Sequence, residues 1–156
     1  MIVVKKDSGF FVLAVVIRSG IFPPFMEEAH QNMEAIVMEA LGEAGFAGLT
    51  AAFYRRVRED ALIGPMYPES DWEGSEKRLR DFLIFRFGGS NRYLLERGHP
   101  RLRVRHAPFV IGTAERDRWL ELMGEAMDET ALAGEARQHL SAFFAQVADF
   151  MRNTGN

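Results

Sequence analysis

The fold of this chain is decided by residues 97–109, which read RGHPRLRVRHAPF. The glycine and the residue before the first proline keep the chain out of helix, whereas Pro100 suits a first helical position. Pro108 stops the helix again, which leaves about two turns. His106 is in the last turn, one turn after Leu102, so both side chains are expected to face an apolar interior.

His106 has two interpretations at this stage. An imidazole held against an apolar interior, which Phe109 is expected to share, suits a metal ion, and the neighbouring arginines suit carboxylates. A histidine at a helix C-terminus is also favoured by the helix dipole whatever its role. The arginines of this stretch equally suit a solvated basic face or a phosphate-binding patch. The local pattern leaves the choice open.

Length and composition exclude several function classes. The chain of 156 residues is predicted to form one domain, and its net charge of −3 gives no argument for nucleic-acid binding. It has no cysteine, which excludes disulfides, thiolate zinc sites and thiol catalysis. The four histidines show neither HxxxH nor HExxH spacing, so a metal site built from protein ligands alone is not expected. A single histidine can still ligate iron where a porphyrin supplies the other ligands.

Residues 1–32 are predicted to be an extension of unknown role, and residues 33–156 to form the domain. Two lysines precede an apolar run at residues 10–17, which imitates a signal peptide. Arg18 ends the run before it is long enough to span a bilayer, and no small-residue cleavage site follows closely. We therefore expect a cytoplasmic protein that does not bind a membrane.

The segments after the extension have helical period, and none alternates convincingly as a strand. The fold class is therefore predicted to be all-α, with about five or six helices. The expected helices cover Met33–Leu41, a segment after Gly42 that carries Phe46 and Val57, about Trp72–Phe87, a segment capped by Thr113, and roughly Leu132–Arg152.

Three polar aromatic side chains lie beside apolar stripes or in an irregular turn: Tyr54, Tyr67 and Trp119. Each has a hydrogen to donate and would need a partner if buried. Taken singly, each also fits an ordinary amphipathic surface position. Together with a helix-mounted histidine they predict a dry pocket with convergent donors, which a diatomic ligand with partial negative charge requires.

Several motifs recur together in one known family. They are Phe53-Tyr54, Met66-Tyr67-Pro68-Glu69, the run from Arg78-Leu79 to Gly88-Gly89, Tyr93, the block from Gly98 to Phe109, and Glu115-Arg116-Asp117 followed by Trp119-Leu120. With these motifs the chain resembles the group II truncated haemoglobins, small bacterial and plant globins, from about Gly42 to Asp128. Two features depart from the family: Leu41-Gly42 replaces its usual Gly-Gly pair, and the extension has no counterpart.

The resemblance implies a two-over-two helical sandwich around haem b, with His106 as the proximal iron ligand. Tyr54 matches the family's ligand-facing tyrosine, Tyr67 the aromatic of the helix-connecting turn, and Trp119 the tryptophan that marks groups II and III. Ser75 stands where other globins have a distal histidine, so hydrogen bonding passes to the other three side chains.

The remaining pocket residues follow from the same resemblance. We expect the haem pocket to include Phe53, Ser75, Leu79, Phe82, Leu83, Leu102 and Phe109. Arg103 and Arg105 are candidates for binding the haem propionates. The second ring nitrogen of His106 is expected to donate to the Leu102 carbonyl one turn back, which fixes its tautomer and orientation.

The expected function is a haem b protein that binds dioxygen, CO and NO, an oxygen-binding or transport globin. Nitric oxide dioxygenase or peroxidase-like chemistry stays open as an alternative. It would need a separate reductase, because the chain has no flavin or nicotinamide fingerprint. A non-haem helical interaction module, with arginines that bind an acidic partner, is the other alternative. The sequence also leaves a homodimer open.

Overall fold

The computed structural model describes residues 24–155, with side chains from residue 28 onward except residue 30. All regular structure in these residues is helical and none is strand, which confirms the predicted all-α class. The helices are α1 (Pro24–Glu59), α2 (Trp72–Arg86), α3 (Arg92–Arg97), α4 (Leu102–His106), α5 (Thr113–Glu129) and α6 (Gly134–Met151), with 3₁₀ turns at Gly64–Met66 and Glu69–Asp71.

Helix α1 begins earlier than predicted and bends once. It begins at Pro24 rather than at Met33, and proline suits a first helical position. The predicted boundary after residue 32 therefore falls inside this helix, while the apolar run at residues 10–17 lies outside the described residues. Gly42 interrupts the helix as predicted, with φ of 58° and ψ of −179°. Glycine alone adopts this region without strain.

Two pairs of helices pack over one another. Helix α1 lies against α2, and α5 lies against α6, while α1 also contacts both α5 and α6. Helix α3 packs on α2, and α4 packs on α6. This layering agrees with the predicted two-over-two sandwich. The core between the layers contains the largest fully buried side chains, among them Phe46, Leu49, Phe53, Ile63, Leu83, Ile84, Met123 and Leu140.

The apolar character of α1 is accounted for by this core. Residues Gln31–Glu59 are long enough to span a membrane, with 29 residues, and a window within them has a mean hydropathy of 1.3. Four of their large side chains, Phe46, Leu49, Phe53 and Val57, are fully buried against the other helices. Burial of such a side chain stabilises a fold by about 1.5–3 kcal/mol.

Most predicted helix ends agree with the structure, and one cap is wrong. Helix α2 ends at Arg86, one residue before its predicted end, and α6 covers its predicted range except for the first two residues and the last one. Thr113 does not cap α5, because Gly112 holds the N-cap position and Thr113 is already helical. The N–H of Gly112 donates to Glu115 Oε2 at 2.8 Å. A side chain from the first turn thus accepts the hydrogen bond of the N-cap N–H group.

Gly42 and Gly48 offer a matched pair of substitutions on α1. We expect Gly42→Ala to lower the free energy of unfolding by about 1–3 kcal/mol, because a Cβ is strained at this φ although it meets no atom within 4 Å. Gly48→Ala, in regular helix with equally open space, is expected to raise it by up to about 1 kcal/mol. Urea unfolding measures both. Equal effects would contradict the bend at Gly42.

Candidate functional site

His106 ends a short helix that its surroundings hold in place. Helix α4 begins at Leu102, not at the predicted Pro100, because Arg101 has a left-handed backbone with φ of 40°. With only 5 residues, the helix is too short to be stable alone. Its start is tied down by Arg105, whose Nε donates to the Pro100 carbonyl at 2.8 Å.

The imidazole of His106 is fixed through one ring nitrogen. Nδ1 lies 2.7 Å from the Leu102 carbonyl oxygen, which agrees with the predicted contact. Because a carbonyl only accepts hydrogen bonds, Nδ1 carries the proton and Nε2 keeps its lone pair. The ring also lines a cavity, so Nε2 is the nitrogen left for a ligand there.

Asn153, which follows α6, holds the loop after His106. Its Nδ2 donates to the Phe109 carbonyl at 2.7 Å and to the His106 carbonyl at 3.4 Å, and its Oδ1 accepts from Ile111 N at 3.0 Å. The main-chain N–H groups of Asn153 and Thr154 both donate to the Ile111 carbonyl. The C-terminal segment thus fixes the loop along its length. Sequence reasoning missed this clamp, because 47 residues separate Asn153 from His106.

Residues from all six helices line a cavity of about 460 Å³, and His106 is one of them. Its walls are mainly apolar, and its volume is in the range of small-molecule and cofactor sites. Most of the predicted site residues line it as well, namely Tyr54, Tyr67, Ser75, Leu79, Phe82, Leu83, Leu102, Arg105, Phe109 and Trp119.

Two predicted site residues do not line the cavity. Phe53 is fully buried behind it, with its ring centroid 5.3 Å from that of Tyr54 and 5.0 Å from that of Trp119. It therefore supports two of the rings that do line the cavity. Arg103 turns to the C-terminal helix, where Nη1 donates to the Phe150 carbonyl at 2.8 Å and the guanidinium stacks on the Phe150 ring. The structure brings Arg105, but not Arg103, to the cavity.

The polar aromatics converge as predicted from their positions. The rings of Tyr54 and Tyr67 meet edge to face, with centroids 5.5 Å apart. Burial raises the pKa of Tyr67 to about 12, and hydrogen bonds from Trp119 and Tyr54 offset part of that rise. Burial likewise raises the pKa of Tyr54 well above its ordinary value, and the neighbouring Tyr67 adds to this effect. Both phenols therefore stay protonated at neutral pH and remain donors.

Sequence reasoning missed three arginines at the cavity: Arg78, Arg97 and Arg116. Arg78 is anchored by two side chains, since Nη1 donates to Asp71 Oδ2 at 2.6 Å and Nη2 donates to Ser75 Oγ at 2.8 Å. The guanidinium holds the pKa of Asp71 below its ordinary value. One signal was present in the sequence, because side chains three residues apart on a helix share a face, as Ser75 and Arg78 do.

Comparison with known proteins identifies the family. A sequence profile described as bacterial-like globin matches residues 36–153. The group 2 truncated hemoglobin YjbI of Bacillus subtilis is 39% identical over 115 residues, which cover 74% of this chain and 86% of that protein. The chain belongs to the group II truncated haemoglobins.

Solved haemoglobins share the fold of this truncated haemoglobin. The thermostable hemoglobin from Thermobifida fusca is 44% identical, with a TM-score of 0.73 over 76% of this chain and 97% of that one. The truncated oxygen-avid haemoglobin from Bacillus subtilis is 38% identical, with a TM-score of 0.72 over 75% of this chain and 98% of that one. The two-over-two globin fold follows from these structures as well as from the layering.

The cavity of this truncated haemoglobin fits haem, the cofactor that the family implies. Among the described residues, no group of three histidine or acidic side chains is placed to hold a metal ion by itself. A single histidine suffices where a macrocycle supplies the other nitrogens, and His106 meets that condition. The apolar walls suit the macrocycle, and Arg97 and Arg105 suit acidic propionate groups.

Removal of the Asn153 clamp is expected to loosen the loop after His106. We expect Asn153→Ala to lower the free energy of unfolding by about 1–3 kcal/mol, because the N–H of buried Ile111 loses its acceptor. Hydrogen exchange of the loop amides, measured by mass spectrometry, should become faster. Thr154→Ala keeps the main-chain bonds to Ile111 and is the control. Unchanged exchange in Asn153→Ala would show that other contacts hold the loop.

The raised pKa of Tyr67 predicts a loss of stability in alkali. A tyrosine ionises near pH 10 in the unfolded chain and here at about 12 in the folded one, so only the folded chain keeps the proton in between. The stabilising contribution of Tyr67 is complete below about pH 10 and declines as the pH rises to about 12. Urea unfolding across this range should therefore show a smaller loss for Tyr67→Phe than for wild type. Equal losses would contradict the burial of this hydroxyl.

Proposed function

We propose that the protein is a cytoplasmic haem b protein that binds dioxygen, CO and NO, with His106 Nε2 as the iron ligand. The observation that carries the proposal is the bond from His106 Nδ1 to the Leu102 carbonyl, which leaves Nε2 unprotonated at an apolar cavity. Haem, when bound, supplies an iron that takes up diatomic ligands in its ferrous state. The chain's own contribution is to orient the imidazole, exclude water and offer hydrogen bonds.

Tyr67 is the expected donor to the bound ligand. Its oxygen accepts from Trp119 and Tyr54, so its own proton is left to donate. A hydrogen bond to a charged acceptor contributes about 1.5–3 kcal/mol, and about 1.4 kcal/mol is a factor of ten in an equilibrium. A donor that acts on the off-rate would slow ligand release by roughly ten- to a hundredfold. Slow release suits ligand chemistry or sensing better than oxygen delivery.

A relative supports oxygen binding. The Bacillus subtilis haemoglobin that is 38% identical to this chain over the matched 75% of its length is oxygen-avid. Arg105 and Arg97 are the arginines of the cavity best suited to the propionates, because no acidic side chain among the described residues is paired with either. Arg103 keeps the same charge but is turned to Phe150, so we place it second for this role.

The first test is the visible spectrum of haem-reconstituted protein. Wild type is compared with His106→Gly in ferric, dithionite-reduced and CO-bound forms. We expect the wild type to bind one haem with a histidine-ligated ferrous CO spectrum, and the variant to lose that spectrum and regain it with added imidazole. His99→Gly is the matched control. His99 is exposed in the segment just before α4 and does not line the cavity.

Two outcomes would contradict the proposal. Absence of stoichiometric haem binding by the wild type would return the arginine-rich stretch to the alternative of a non-haem interaction module. Retention of the histidine-ligated spectrum by His106→Gly, together with its loss in His99→Gly, would show that His99 and not His106 is the iron ligand. Circular dichroism of each variant establishes that it has folded.

The second test measures how Tyr67 acts on the ligand. We expect Tyr67→Phe to raise the dissociation rate of dioxygen by roughly ten- to a hundredfold, because a hydrogen bond to the ligand is lost. Stopped-flow displacement of dioxygen by CO measures the rate. Trp72→Phe is the control, since Trp72 stacks on Tyr67 at 5.8 Å but does not line the cavity. An unchanged rate in Tyr67→Phe would remove Tyr67 from the role of donor.

A further inference from the structure

The segment from residue 97 to residue 114, which includes α4, is positively charged and contains no carboxylate. Residues 97–114 contain no aspartate or glutamate but four arginines, Arg97, Arg101, Arg103 and Arg105. The first three are exposed, and Arg105 is half-buried. The exposed side chains of Leu95 and of residues 97–110 are called the α4 face below; Glu96, between them, is exposed and paired with Lys77.

Every arginine elsewhere in the described part of the chain except Arg58 is paired with a carboxylate. Ion pairs with carboxylates are formed by Arg55, Arg56, Arg78, Arg80, Arg86, Arg92, Arg116, Arg118, Arg137 and Arg152. The arginines of the α4 face form no ion pair with a carboxylate among residues 28–155, although the charge of Arg97 helps to lower the pKa of Asp71. Arg103 and Arg105 donate to main-chain carbonyls instead, which do not cancel their charge. With haem bound, its two propionates would offset Arg97 and Arg105, and Arg101 and Arg103 would remain as the excess positive charge of the α4 face on a chain with a net charge of −3.

The α4 face also exposes apolar side chains. Val104 and Val110 are each 70% exposed, and Leu95 is 77% exposed. Val104 stands between Arg103 and Arg105, so apolar and basic groups alternate along the helix. Apolar contacts with arginine among them are typical of protein interfaces, where arginine is enriched. This composition favours a protein partner with an acidic surface.

The α4 face lies on the segment that carries His106, and this position indicates that such a partner supplies electrons to the cavity. His106 and Phe109 line the cavity, while Val104 and Val110 of the same short segment face outward. A protein bound here would touch the helix that holds the iron ligand. Dioxygen binding requires ferrous iron, and the sequence has no flavin or nicotinamide fingerprint of its own to return it to that state.

We propose that the α4 face docks an acidic electron-donor protein that reduces the haem iron. This inference rests on the haem function proposed above. The donor loses one electron from a reduced cofactor such as a flavin, the ferric iron gains it and becomes ferrous, and no bond forms or breaks. Small, electrostatically steered interfaces are typical of such redox encounters, so a short helix and its loops are large enough.

Other occupants complement the charges less well. A second copy of the chain would bring the same arginines against these. The first 23 residues carry Lys5, Lys6 and Arg18 against a single acid, Asp7, so this segment is itself basic. A nucleic acid or an anionic membrane would be repelled by the net negative charge of the rest of the chain, whereas a small acidic protein surface would meet only the α4 face.

The experiment follows reduction of the ferric, haem-loaded protein by reduced flavodoxin, an acidic one-electron donor, in a stopped-flow spectrometer. Wild type is compared with the double variant Arg101→Glu/Val104→Ser, which alters no cavity-lining residue. The control is Arg58→Glu, an equal charge change at an exposed arginine of α1 that has no carboxylate partner among the described residues. We expect the double variant to lower the second-order rate about tenfold or more at low salt. The difference should vanish near 1 M salt, where charges are screened within about 3 Å.

Reduction by dithionite, which needs no docking, separates the two proposals. Equal flavodoxin rates for wild type and double variant, with normal dithionite reduction, would overturn docking and leave the haem function intact.

If the protein binds no haem, the proposed function fails, and an NMR titration of the labelled protein with oxidised flavodoxin still decides docking. Shifts confined to residues 95–110 would support it, and shifts elsewhere or none would overturn it. Binding of DNA or anionic vesicles through Arg101, without an effect on flavodoxin, would also overturn it.

Discussion

The hydrogen bond between His106 Nδ1 and the Leu102 carbonyl is the contact on which the candidate site depends. It sets the tautomer of the ring and leaves the other nitrogen free at the cavity. The helix that makes this bond has 5 residues and cannot hold itself. Arg105 ties its start to the Pro100 carbonyl, and Asn153 ties the following loop to the C-terminus. The histidine is thus positioned by main-chain carbonyls rather than by charged partners.

The other polar side chains of the cavity satisfy one another. Burying a phenol or an indole N–H without a partner costs about 1–3 kcal/mol. Tyr67 accepts from Trp119 and Tyr54, and Phe53 supports two of these rings from behind. The same burial raises the pKa of both tyrosines, so the cavity keeps protonated donors in an apolar setting. A pocket of this kind offers hydrogen bonds to a ligand from protonated phenols.

Most arginines on the other helices are paired with carboxylates, whereas those around α4 are not. This difference affects both the cavity and the surface next to it. A single surface ion pair contributes little, about 0–1 kcal/mol, so the pairs on the other helices matter mainly because they cancel charge. The positive charge of the segment that carries His106 is not cancelled within that segment, since no acidic residue occurs between Glu96 and Glu115. One short stretch therefore supplies the candidate iron ligand, two of the four arginines of the cavity and the basic face outside it. The proposed function inside the cavity and the proposed docking outside it are separable, because Arg101 and Val104 are exposed and do not line the cavity.

The sequence by itself determined the helical class, the bend at Gly42, the isolation of His106 between two prolines, and the set of three polar aromatics, because each depends on residues close together in the chain. The early start of α1 and the left-handed Arg101, which shortens α4, were not predicted, since other local choices were equally allowed. Only the tertiary structure turned Arg103 to Phe150, brought Arg78 and Arg97 to the cavity, and placed Asn153 on the loop after His106. Periodicity shows which face of a helix is buried. It does not show which distant segment packs there, and a hydrogen bond requires that segment to approach within about 3 Å.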